Sequence, residues 1–273
     1  MAKHYHHHLP LTVGILIFDQ VEVLDVAGPF EVFSVSRLNE ERRYQELSPF
    51  RVLLVSEKIT QVLAIGGLRF TPDVSFGNCP DLDLLIVPGG FGTRKEVKNN
   101  TLVQWIVERS AKTRLTASVC TGAALLGKAG LLDGREATTH WKAFELLHMA
   151  APKTKIRKDV LFTLQEPIFT SAGVSAGIDL ALRIVSNLFG TEIGQATARQ
   201  MEYRYPQNNQ RRIKTTKQLK DIVMEELPDE TAKITASKIS QFGKGFTIPD
   251  DDDHYKEKTT TTRPILMPGS LRP

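Results

Sequence analysis

Three short runs of almost unbroken apolar residues, TVGILIF (12–18), FRVLLVS (50–56) and LDLLIVP (82–88), constrain this chain more than any other feature. A strand that is apolar at nearly every position must be covered on both faces, and a mostly parallel sheet between helical layers provides that cover. RLTASV (114–119) reads as a fourth strand, and short strands are expected near 155–157, 160–164 and 167–170. Helical patterns lie between and after them. They are AGPFEVFSVSRL (27–38), a stretch through Leu102, Val103, Ile106 and Val107 that Asn99 or Asn100 can cap, TGAALLGKAG (121–130), and residues 141–150, 174–189 and 190–203. Gly66-Gly67 and Thr71-Pro72 mark a small hairpin. The expected fold is α/β, a mostly parallel sheet with helices on both faces, and such sheets bind ligands at the carboxyl ends of their strands.

The 273 residues include only two cysteines, Cys79 and Cys120, too few for a disulfide framework or a four-thiolate zinc site. Net charge is +4, but residues 205–273 hold 12 basic and 10 acidic residues, and residues 11–204 carry 22 against 21. That near-neutral body lacks the basic face of a nucleic-acid partner. The apolar run at residues 9–18 is followed at once by Asp19, Gln20 and Glu22, without a small-residue cleavage site, and no run reaches the ~18 residues of a membrane span. A cytoplasmic protein with no membrane partner is the expectation. HYHHH (4–8) reads as a mobile or expression-derived terminus rather than a metal site, because a flexible tail has no preformed geometry. The organisation expected is a His-rich terminus over 1–10, one domain over 11–204, and a polar, largely disordered tail over 205–273.

Cys120 sits where the fourth strand turns into a helix, between the small residues Ala117 and Ser118 and the run Gly122, Ala123, Ala124. A nucleophile on such a turn is exposed above the sheet and faces a helix N-terminus, which favours the thiolate; a buried structural cysteine is the competing reading. Pro88-Gly89-Gly90, ending a neighbouring strand, and the Thr121 amide could hold developing charge, although a tight turn alone also explains the glycines. Asp19, Glu22 and Asp25 follow the first strand, and Asp25 serves either as a helix cap or as an acid. His140 follows a short strand, His148 lies within a helix, and Cys79, in the loop NCP, is read as incidental. No Walker loop, dinucleotide fingerprint or ligand pattern implies a cofactor or metal.

VEVLDVAGPFEVF (21–33), LLIVPGGFG (84–92), ASVCTGAALLGKAGLLDGREATTHW (117–141) and AGVSAGIDLALRIV (172–185) resemble the DJ-1/PfpI superfamily, related in fold to class I glutamine amidotransferase domains. The LD-x-x-GP and SVCTGA segments look most like isocyanide hydratases and the amidotransferase-like domain of AraC-type regulators. The resemblance spans roughly residues 11–203. It implies a flavodoxin-like sandwich, a homodimer, no cofactor, and a small-molecule substrate hydrated to a formamide. It also implies Cys120 as the nucleophile, Asp25 as its carboxylate partner, and Gly89, Gly90 and Thr121 around the reacting group. His140 matches the family's THW segment in a supporting place, and Asp179 reads as a capping or packing residue. Thr121 stands where peptidase and glyoxalase or deglycase branches often carry His. Residues 205–273 are too short for the paired helix-turn-helix units of the regulators. A different small-molecule enzyme of the family, glyoxalase, deglycase or amidase-like, and a non-catalytic ligand or redox sensor are the alternatives.

Overall fold

The first apolar run forms β1 (Leu11–Leu16), and α1 (Val23–Val35) follows it after a short loop. β2 (Phe50–Ser56) lies parallel to β1, with Leu11 opposite Phe50 and Leu16 opposite Val55. The computed structural model describes residues 10–212. The expected hairpin is present as β3 (Val62–Leu63) and β4 (Arg69–Phe70), turned by Gly66 and Gly67 at φ 79° and 91°, a conformation that favours glycine. β5 (Val74–Ser75), too short to register as a strand pattern, extends the sheet beyond β2.

β6 (Leu84–Val87) and β7 (Leu115–Ser118) are buried at every position, as their composition requires of central strands. α2 (Thr93–Glu96) and α3 (Asn100–Lys112) connect them; Asn99 caps α3 by accepting from the Leu102 N–H at 3.2 Å. After β7 come α4 (Gly122–Lys128), β8 (Glu136–Ala137), α5 (Phe144–Ala150) and β9 (Lys155–Ile156). The antiparallel pair β10 (Phe162–Gln165) and β11 (Ile168–Ser171) precedes α6 (Ala176–Phe189) and α7 (Thr191–Gln200).

The seven-stranded sheet runs β10-β11-β7-β6-β1-β2-β5, parallel except at β10–β11. α1, α6 and α7 pack on one another, and α4 packs on α3 and α5. This is the flavodoxin-like sandwich. Its register decides where chemistry can occur: Val87 pairs with Ser118 and Thr170 with Ser118, so the loops after β6, β7 and β11 leave the sheet together. No helix among the described residues is long and apolar enough to cross a membrane.

The boundary expected after residue 204 falls too early. Tyr205 Oη lies 2.8 Å from Ser186 Oγ, and Asn209 continues the sheet edge past β10. Its carbonyl accepts from the Leu161 N–H at 3.0 Å, and its side chain accepts from the Phe162 N–H at 3.0 Å and donates to the Phe162 carbonyl at 2.8 Å. An amide side chain carries the same donor and acceptor as a peptide, so a stretch that reads as polar low complexity can still complete a sheet. The rest of the expected tail, like the His-rich terminus, lies outside the described residues.

Candidate active site

Cys120 follows β7 with φ at 57°, a left-handed conformation that strains a residue with a Cβ. Its neighbours hold it there. The Cys120 N–H donates to the Ala172 carbonyl after β11 at 3.2 Å, and its own carbonyl accepts from Thr139 Oγ1 at 2.7 Å. Gly122 closes the elbow because a side chain there would overlap the Val87 carbonyl.

Asp25 approaches from α1. It sits in the first turn, but the capping reading fails: Glu22 occupies the cap position, and the Asp25 side chain is turned inward with 0% exposure. Oδ2 accepts from the Gly89 N–H at 2.9 Å. Oδ1 is buried without a well-formed hydrogen bond among the described residues, and the Cys120 thiol acts on the same carboxyl. Burial outweighs the Gly89 bond and pushes Asp25 up to about 8, so the carboxyl is protonated at neutral pH.

The thiolate expected from the helix N-terminus is not what this environment favours. Cys120 is 6% exposed, and burial, reinforced by Asp25, pushes its thiol well above the ordinary cysteine value despite an opposing hydrogen bond from the Thr121 amide. α4, only seven residues long and starting two residues later, does not offset that desolvation.

The backbone donors offered by Pro88-Gly89-Gly90 are already engaged. Gly89 gives its N–H to Asp25, and Gly90, at φ 136°, gives its N–H to Thr121 Oγ1 at 2.8 Å. Gly89 and Gly90 therefore place Asp25 and Thr121 rather than present free amides to a substrate. A side chain at Gly89 would overlap Thr121, which explains the glycine without an oxyanion role. Thr121 Oγ1 also lies 2.9 Å from Thr93 Oγ1 and 3.2 Å from the Gly90 carbonyl, so its hydroxyl clamps the two loops together.

His140 borders the elbow without bonding to either member of the pair in the described contacts. Its Nδ1 accepts from the Lys142 N–H at 3.3 Å, and its ring occupies the space a Cβ on Gly173 would need. Burial, then the charges of Arg211 and Lys142, hold it below the ordinary histidine value. His148 is exposed on α5, and Asp19 accepts from the Leu63 N–H to anchor the hairpin. Asp179 is fully buried against Tyr203 Oη and Arg212, a packing role rather than a cap. Cys79 bonds the Pro80 carbonyl, and burial raises its thiol. Among the described residues no group of three or more His, Cys, Asp or Glu could hold a metal ion.

Sequence reasoning missed Thr139, Thr93, Gly173 and Arg211. Thr139 stands in the TTHW segment already singled out for its histidine, and Gly173 in the AGVSAG segment; Thr93 and Arg211 carry no local signal, since their partners lie in distant segments.

The profile of the DJ-1/PfpI family matches residues 11–187. The chain is 35% identical over 198 residues to an isonitrile hydratase of Pseudomonas putida, covering 71% of this chain and 79% of that protein. It is 29% identical over 201 residues to the HTH-type transcriptional regulator GbdR of Pseudomonas aeruginosa, covering 74% of this chain and about half, 53%, of that regulator. Among solved structures, a THiJ/PfpI family protein from Pseudomonas syringae superposes with a TM-score of 0.63 at 24% identity, covering 89% of this chain and 93% of that one. Drosophila melanogaster DJ-1beta superposes with a TM-score of 0.61 at 17% identity, covering 72% of this chain and 100% of that one. With Cys120 on its left-handed turn and a family match across the whole sheet, the chain belongs to the DJ-1/PfpI family.

Proposed function

We propose that the protein is a cysteine-dependent isocyanide hydratase that converts R-NC to an N-substituted formamide. One observation carries the reading: the buried Asp25 carboxyl, which desolvation pushes up to about 8, has one oxygen fixed by the Gly89 amide and the other beside the Cys120 thiol, without a well-formed hydrogen bond among the described residues. A neutral carboxylic acid can donate a proton from one oxygen while the other accepts one.

Isocyanide chemistry needs that exchange. The Cys120 sulfur bonds the terminal carbon while Asp25 delivers a proton to the same carbon and takes the thiol proton, leaving a thioimidate, Cys-S-CH=N-R. Water then adds to that carbon, with one proton passing through Asp25 to nitrogen. Breaking the C–S bond expels N-substituted formamide, and the hydroxyl proton returns to sulfur. Asp25 ends each step as it began. The net reaction consumes one isocyanide and one water and requires no metal or organic cofactor. The working unit proposed is a cytoplasmic homodimer acting on a small molecule.

The test is formamide formation from a simple alkyl isocyanide by purified protein, followed by NMR. Wild type should turn over, while Cys120→Ala and Asp25→Asn should lose about 10²-fold or more and remain folded. Absence of formamide from wild type overturns the assignment.

A ligand sensor is the second reading, favoured by the near-complete burial of Cys120 and the likeness to GbdR. Saturable ligand binding without product would select it.

A further inference from the structure

Cys120 must be held in a conformation its side chain disfavours, and its carbonyl is braced by Thr139 Oγ1 at 2.7 Å, besides a longer bond of 3.4 Å from the Ala123 N–H at the start of α4. Thr139 is itself clamped. Arg211 Nη2 donates to the Thr139 carbonyl at 2.9 Å and to Thr138 Oγ1 at 2.8 Å, while the Thr138 N–H is held from the other side by Thr170 Oγ1 at 2.7 Å. Arg211 reaches this position because its segment is pinned to the edge of the domain: its N–H donates to the Asp159 carbonyl at 2.8 Å, next to the Asn209 contacts.

The guanidinium is half-buried against the Phe144 ring, 5.3 Å from its centroid, and its Nε has no hydrogen-bond partner among the described residues. No carboxylate among those residues lies within ion-pair distance of it. Desolvation of this half-buried cation outweighs the attraction of Asp159, and both of its direct acceptors are uncharged; what its planar fork supplies is geometry.

We infer that Arg211 is a positioning residue for Cys120, fixing the Thr138–Thr139 backbone so that the Thr139 hydroxyl locks the left-handed turn of the nucleophile. The inference rests on the reading of Cys120 as the reacting group. It assigns a role in the site to a residue outside the family-matched stretch, which ends at 187.

The experiment is a double-mutant cycle read by the alkylation rate of Cys120 with iodoacetamide, in full-length protein carrying Cys79→Ser so that one thiol reports. This readout needs no isocyanide, so a failed hydratase assay leaves it intact. Arg211→Ala and Thr139→Val should each loosen the elbow and speed alkylation about fivefold, the equivalent of one hydrogen bond. The double variant should be no faster than the quicker single, because both act through the same brace. Arg211→Lys should behave like Arg211→Ala, since a point charge cannot reproduce the fork, and it carries the test if the alanine variant does not fold. Where isocyanide is turned over, the same variants should lose roughly tenfold or more in kcat. Rates within twofold of wild type, multiplicative effects in the double variant, or full rescue by Lys would each overturn the positioning role, the last in favour of charge alone.

Discussion

Asp25 and Cys120 are two acidic groups that burial pushes in the same direction, so the proton inventory of the pair follows from its surroundings more than from either residue type. The linkage to stability has a definite sign. Below the ordinary value of 3.8, Asp25 is protonated folded or unfolded and contributes no slope. Above it the unfolded chain ionises while the folded one keeps its proton to about 8, so this residue lowers stability as pH rises through that window and levels off beyond it. Asp25→Asn should gain on wild type steadily between pH 5 and about 8 in urea unfolding. A constant difference across that range would contradict the buried neutral acid. Activity should decline above about pH 8 as the pair loses its proton, a macroscopic titration seen in kcat/KM. An unchanged rate to pH 10 would remove Asp25 as proton donor. The residue types were legible in the sequence, but their protonation was not. A helix N-terminus pointed toward thiolate, and the burial around Cys120, reinforced by Asp25, reverses that sign.

The elbow between β7 and α4 is where local sequence and function meet most directly. Small residues on both sides of Cys120 announced the turn, and the structure supplies the reason, since Gly122 abuts the Val87 carbonyl. Gly122→Ala should therefore cost about 1–3 kcal/mol by chemical denaturation, as overpacking against backbone does. Cys120→Gly should be more stable than Cys120→Ala by about 1 kcal/mol, because glycine accepts φ near 57° without strain. Equal stabilities would mean that the turn is not strained. Element boundaries were less legible. α1 begins at Val23, four residues before the stretch read as helical, because Glu22 makes no capping bond to mark the start. β5, β8 and α2 are two to four residues long, too short for a periodic pattern.

Among the described residues, the segment from Tyr203 to Arg212 ties the last helices back to the sheet edge that carries Cys120. Asp179, fully buried in α6, accepts from Tyr203 Oη and Arg212, whose side chain is 45% exposed. Arg212→Ala should destabilise the protein by about 1–3 kcal/mol by leaving a buried carboxyl short of a donor, at the lower end because water reaches the arginine. The homodimer proposed for the chain predicts a sedimenting mass about twice 30.5 kDa at micromolar concentration; a monomer there would refute it. The sequence by itself determined the layered α/β fold and the placement of Cys120 and Asp25 at one sheet edge. Apolar strands need cover on both faces, and turn residues declare themselves locally. The tertiary structure decided which amides are free, which acid keeps its proton, and that Asn209, Arg211 and Arg212 belong to the domain. Those properties depend on neighbours from distant segments, through desolvation and hydrogen-bond geometry that no local pattern encodes.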